Sequence, residues 1–183
     1  MRIARIVGLA LCMLAPAASF GEGGTAGKVL KGKEITESAL VDALVPEEPV
    51  RTRSIKIMRE GGPPPAPAKP AVASLLITFE TGSAELTPHS RQSLDVVGRA
   101  LNSNKLTDFS FSIEGHADPR GGDEFNLHLS QARAESVVNY LAERHKIARE
   151  RLKPIGKGNA ELLNTANPNA PENRRVTIKT LMN

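Results

Sequence analysis

The sequence predicts an α+β domain of order β-α-β-α-β-β, with two helices packed on one face of a mixed sheet. Three observations carry the prediction. Phe109, Phe111, Ile113 and Gly115 alternate with Ser110, Ser112, Glu114 and His116, the period of a strand with one apolar face. Two stripes, Leu94/Val97/Leu101 and Ala134/Val137/Val138/Leu141, recur at helical spacing. A closing run, RRVTIKTL, alternates again through Val176, Ile178 and Thr180. Each helix has a single apolar stripe to bury, so a shared sheet face is the economical packing.

The chain opens with Arg2 and Arg5, an apolar run from Ile6 to Leu14, and small residues Ala17, Ala18 and Ser19. That order is expected of a secretory signal peptide over residues 1–21, cleaved between about 18 and 21. The run is shorter than the roughly 20 apolar residues needed to span a bilayer. Cys12 is the single cysteine of the 183 residues. A lipoprotein signal places a small residue before its cysteine, and Leu11 stands there instead, so Cys12 reads as part of the discarded run. The mature chain then has no thiol, as suits an oxidising compartment.

Residues 22–73 read as an arm and a proline-rich linker. Thr36 is placed to cap a short helix carrying Leu40, Val41 and Leu44, stopped by Pro46. RTRSIKIMRE alternates briefly through Ile55 and Ile57, as a strand would. Five of the thirteen prolines lie between Pro63 and Pro70, the composition of a semi-rigid spacer.

The domain is expected over residues 74–183, which hold five of the six aromatics. Leu75 to Phe79 (LLITF) predicts the first strand. Thr87 followed by Pro88 predicts a helix start, and Asn102 and Asn104 its end. Ser130 looks like the cap of the second helix. Leu152 to Ile155 predicts a third strand, placed at an edge or bulge by Pro154. A fifteen-residue loop, Asn159 to Asn173, leads into the closing strand.

The net charge of +4 invites a nucleic-acid reading, but its distribution removes the support. The expected leader's two arginines carry +2. Residues 22–73 hold eight basic and seven acidic residues, and residues 74–183 hold fourteen and thirteen. The mature chain is nearly neutral and finely mixed in sign, so no nucleic acid is expected.

The densest polar cluster is Glu114, His116 and Asp118, followed by Arg120, Gly121, Gly122 and Asp123. Three chemistries compete. Glu114, His116 and Asp118 alternate and could share a strand face as metal ligands, with His128 as a fourth. A carboxylate and a histidine could act as acid and base, but no nucleophile is marked. Or Asp118 and Arg133 could hold a zwitterion: the carboxylate takes an ammonium, and the guanidinium, in the first turn after Ser130, takes a carboxylate. The plain alternative to that third reading is an Asp118–Arg133 salt bridge. Asn126 either touches a ligand or satisfies the loop backbone. Arg174 and Arg175 point to opposite faces, so one at most reaches the cluster.

These residues resemble a known family. ITFETGSAEL at 77–86, EGHADPRGG at 114–122, N-x-x-LS-x-x-RA from Asn126 to Ala134, and NRRV at 173–176 are similar, in order and spacing, to the OmpA-like (OmpA/MotB) carboxy-terminal peptidoglycan-binding domain. The resemblance spans residues 74–183. It implies two helices on a mixed sheet, no catalysis, no cofactor or metal, and noncovalent binding of meso-diaminopimelate in the peptidoglycan stem. The family's ligand-pairing aspartate falls on Asp118 and its arginine on Arg133; Asn126, Leu129 and Arg174 match further pocket positions. Ala117 stands where the family often has threonine. The arm is too short for an eight-stranded barrel. A periplasmic protein associated with the cell wall or outer membrane is therefore expected. Two alternatives remain: an adaptor whose residues 22–60 dock an outer-membrane protein, and a peptidoglycan-associated lipoprotein.

Overall fold

The computed structural model describes residues 29–46, 71–80 and 82–182. The expected leader, the Ile55/Ile57 strand and the proline-rich spacer lie outside the described residues. Among the described residues no helix is long and apolar enough to cross a membrane.

Among the described residues eight strands and α-helices form: β1 (Val29–Leu30), α1 (Glu37–Leu44), β2 (Val72–Leu75), α2 (Pro88–Leu101), β3 (Ser110–Gly115), α3 (Asp123–His145), β4 (Leu152–Gly156) and β5 (Val176–Leu181). From β2 onward the order is β-α-β-α-β-β, as expected. The sheet runs β1-β2-β5-β3-β4. β1 with β2 and β3 with β4 are parallel; β5 is antiparallel to both β2 and β3. The last strand of the chain is thus the central one. β4 is an edge, which is where Pro154 removes no ladder hydrogen bond that a neighbour needs.

Register separates the two faces of the sheet. Ala73 opposes Ile178, Leu75 opposes Val176, and Ile113 opposes Ile178. These side chains, with Phe111 and Leu152, meet Leu94, Val97 and Leu101 of α2 and Val137, Val138 and Leu141 of α3 in one apolar core. Ser74, Ser112, Glu114, Thr177 and Lys179 share the opposite face. That face is polar, yet Ser112 and Glu114 are buried too.

Three helices, rather than two, contribute to the core. Leu40, Val41 and Leu44 of α1 join the same cluster. Thr36 caps α1 by accepting from the Ala39 N–H at 3.2 Å. Thr180 in β5 donates to the Leu44 carbonyl at 2.5 Å, tying the end of α1 to the central strand. β1 adds two residues beside β2. Residues 29–45 therefore pack within the folded unit, although their sequence reads as an arm.

Two further expectations are corrected. The first strand runs from Val72 to Leu75 rather than from Leu75 to Phe79; Phe79 only bridges Leu86. Ser130 is not a cap. α3 begins at Asp123, with acidic Asp123 and Glu124 in its first turn, where the helix dipole favours them. Ser130 is fully buried mid-helix; its hydroxyl donates to the Leu127 carbonyl at 2.8 Å and accepts from the Gly158 N–H at 2.8 Å. Gly115 faces this turn, and a Cβ there would run into the Ser130 carbonyl. The close approach of α3 to the end of β3 places the site.

Candidate functional site

β3 ends at Gly115, and the chain leaves the sheet toward α3. The His116 N–H donates to the Arg175 carbonyl at 2.9 Å, and the Ala117 N–H to the Gly158 carbonyl at 2.7 Å. These bonds hold the strand exit between β5 and the loop after β4. Asp118 follows, then a tight turn in which Gly121 takes φ +104°, a conformation that side chains rarely adopt. Asn126, buried in the second turn of α3, donates its amide to the Asp118 backbone carbonyl at 3.1 Å. It thereby closes the loop onto the helix, the structural one of its two expected roles.

A cavity of about 690 Å³ opens here, lined by Asp118, Arg120, Asn126, Leu129, Arg133 and Arg174 together with Phe79, Gly82, Phe125 and Arg175. All five residues expected at the site from the sequence therefore face one space. They do so by different means. The Asp118 side chain is nearly buried and takes two arginines. Arg120 Nη2 donates at 2.6 Å and Arg174 Nη1 at 2.7 Å, both to Oδ2. The Arg120 backbone N–H adds a bond to Oδ1 at 3.2 Å. Hydrogen bonding from Arg120 in the first place, and from Arg174, holds the carboxyl down to about 2 against the desolvation that would raise it. Asp118 is a carboxylate at any physiological pH.

Arg133 behaves differently. It lies in the third turn of α3, so the expected help from the helix amino terminus is absent; the helix starts at Asp123, eight residues before the start that a cap at Ser130 implies. No described ion pair joins it to Asp118, which removes the salt-bridge alternative. Instead its Nε donates to the Ser83 carbonyl at 3.0 Å. Its guanidinium carbon sits 4.9 Å from the centre of the Phe79 ring, a cation–π contact. Burial, with the charge of Arg174, pulls its pKa below the ordinary arginine value. Among the described residues the Arg133 guanidinium is half-buried, positioned and without a carboxylate.

The metal reading fares differently from its expected form. Asp118 is engaged by Arg120 and Arg174 and does not join Glu114 and His116, and His128 is exposed on α3 at 4.0 Å from Glu124. Glu161 from the loop after β4 takes the place of Asp118, so that Glu114, His116 and Glu161 bring ligand atoms within 4.8 Å of one another. Both carboxylates already hold lysines: Lys179 on Glu114 at 2.6 Å and Lys157 on Glu161 at 2.7 Å. Arg175 adds a third cation by donating to the Glu161 carbonyl at 3.3 Å. Three cations around two carboxylates make an ion-pair network, not a seat prepared for another cation. The alternation of Arg174 and Arg175 holds as expected: Arg174 reaches Asp118, and Arg175 reaches this separate cluster.

Sequence reasoning gave no role to Arg120, Phe79 or Ser83. Arg120 sits two residues after Asp118 in a glycine-rich turn, a spacing that could have flagged it. Phe79 and Ser83 reach Arg133 only through tertiary packing.

Comparison with known proteins identifies the family. The family model described as "OmpA family" matches residues 78–175. Outer membrane protein P5 of Haemophilus influenzae is 30% identical over 126 residues, covering 66% of this chain and 35% of the relative. A peptidoglycan-associated lipoprotein of Pseudomonas putida is 30% identical over 110 residues, 55% of this chain and 60% of the relative. The chain thus spans about a third of the first relative's length. Among solved structures, the OmpA-like domain of FopA1 from Francisella tularensis superposes with a TM-score of 0.51 at 20% identity, covering 59% of this chain and 70% of that one. The fold, the motif order and the family match over residues 78–175 together place this chain in the OmpA family.

Proposed function

We propose that this chain binds cell-wall peptidoglycan noncovalently, through the diaminopimelate of the stem peptide, and so anchors the envelope to the wall. One observation carries the reading: a permanent carboxylate, Asp118, and an arginine, Arg133, that has no carboxylate partner among the described residues face the same cavity. The free end of diaminopimelate offers an ammonium and a carboxylate on one carbon. Asp118 accepts from the ammonium, and Arg133 clamps the carboxylate with the geometry guanidinium groups favour. Asn126 holds the loop that carries Asp118, Arg174 flanks the carboxylate, and Leu129 provides the apolar wall. The name of the Pseudomonas putida relative supports peptidoglycan as the partner.

The reading places the protein in the periplasm, exported by a cleaved signal peptide and associated with the wall or outer membrane. Mass spectrometry of the mature amino terminus tests this, since a lipidated Cys12 would instead make it a lipoprotein. An adaptor function through residues 22–60 has less room than the sequence suggests, because residues 29–45 bury their apolar side chains in the core.

The binding test is cosedimentation with purified sacculi. Wild type pellets with the wall, and Asp118→Ala and Arg133→Ala remain in the supernatant. Full binding by both variants would refute the site; no binding by wild type would refute the function.

A further inference from the structure

The cavity carries more positive charge than a single zwitterion can neutralise. Arg120, Arg133 and Arg174 face it against one carboxylate, Asp118. Arg175 also contributes to the lining, but its guanidinium is held at the Glu161 carbonyl. An amino-acid head group has no net charge, so binding one leaves this excess in place. The three guanidiniums are also unequal. Arg174 has a second contact, the Asn169 carbonyl at 3.5 Å, and Arg133 is fixed by Ser83 and Phe79. Arg120 has an exposed side chain, 62% accessible, and among the described residues its guanidinium bonds only to Asp118. It occupies both carboxylate oxygens, through Nε at 3.2 Å to each and Nη2 at 2.6 Å.

An ammonium arriving at Asp118 must share those oxygens with Arg120. Arg120 is the partner free to leave, since among the described residues its release breaks no side-chain bond except those to Asp118, where the arriving ammonium takes its place. A released guanidinium at the cavity mouth is a ready fork for a second anion. We propose that the cavity selects a ligand with two carboxylates for each ammonium, and that Arg120 transfers from Asp118 to the second carboxylate as the ligand enters. This rests on the diaminopimelate reading and adds a specificity residue to it. In the stem peptide the second anion is a free carboxylate next to diaminopimelate, on the preceding γ-linked glutamate. Its conversion to the amide removes what Arg120 reads.

The test compares two synthetic tripeptides, N-acetyl-L-Ala-γ-D-Glu-meso-diaminopimelate with the stem-side diaminopimelate carboxylate capped as an amide in both, one with the glutamate α-carboxylate free and the other with that group as carboxamide. Affinities are measured by isothermal titration calorimetry on wild type, Arg120→Gln and Arg120→Lys. One charge-assisted contact predicts that wild type prefers the free acid by about tenfold. In Arg120→Gln the ratio of the two affinities falls to about one, and Arg120→Lys restores part of it. Equal affinities in wild type, or an undiminished preference in Arg120→Gln, would overturn the role of Arg120. Failure of wild type to bind either peptide would overturn the diaminopimelate reading itself, and this inference with it.

Discussion

Acid should weaken this fold earlier than its carboxylates alone would, because of His116. The ring is buried at the strand exit, and neither ring nitrogen has a hydrogen-bond partner among the described protein atoms. Arg175 just before β5, Lys179 in β5 and Lys157 from the loop after β4 surround it, with Glu161 opposing them and Glu114 beside it. Desolvation first, then the Arg175 charge, pushes its pKa from 6.5 down to about 3. The unfolded chain therefore takes up the proton first. The stability His116 contributes is complete above pH 6.5 and is lost as pH falls toward 3. Each unit of that interval is worth about 1.4 kcal/mol, so moving from pH 7.5 to 4.5 removes roughly 2–3 kcal/mol. That is a large part of a domain's usual ~5–15 kcal/mol. Asp118, held down to about 2 from 3.8, loses its contribution only below this window. The assay is urea unfolding at both pH values for wild type and His116→Gln, which keeps a polar, uncharged side chain. The wild type should lose roughly 2–3 kcal/mol more than the variant. Equal losses in the two proteins would show that His116 does not set the acid sensitivity of the fold.

Two other outcomes are expected. Leu40→Ala empties a fully buried position of α1 and should destabilise the domain by about 2–5 kcal/mol in denaturant melts; a change within error would mean that α1 is not part of the core. Asn173 is fully buried and organises the long loop: its Oδ1 accepts from the Leu163 and Asn164 N–H groups at 2.8 and 2.9 Å, and its Nδ2 donates to the Pro168 carbonyl at 2.7 Å. Asn173→Ala orphans these groups and should lower stability by about 2–4 kcal/mol, with faster amide exchange at Leu163 and Asn164; unchanged exchange would show the loop is held by other means.

The sequence reports best those elements whose signals are local. Thr87–Pro88, Thr36 and Pro46 mark helix ends through their own backbone chemistry, and all three stand where expected. Pro154 excludes a central strand and so marks an edge. Elements set by distant partners are harder to read. Val72–Leu75 contains Ala73 and Ser74, poor strand formers, and is extended because β1 and β5 pair with it on both sides. β1 has two residues and no period to detect. The first two turns of α3 carry Phe125 and Leu127 exposed rather than buried, so the apolar stripe begins late and Ser130 resembles a cap. At the site, Asp118, Asn126, Leu129, Arg133 and Arg174 were legible as motif positions. Their ion pairing was not. The partners of Asp118 come from its own turn and from 56 residues away, and those of Arg133 from a loop 50 residues earlier.

The central claim is that Asp118 and Arg133 divide a zwitterion between them. Titration of the stem tripeptide with its terminal diaminopimelate amine free or acetylated tests this most directly, in wild type and Asp118→Asn. Acetylation removes the ammonium, so wild type should lose about tenfold or more in affinity, and Asp118→Asn should bind both peptides with equally weak affinity. Wild-type affinity indifferent to acetylation, or an undiminished preference for the free amine in Asp118→Asn, would contradict the account.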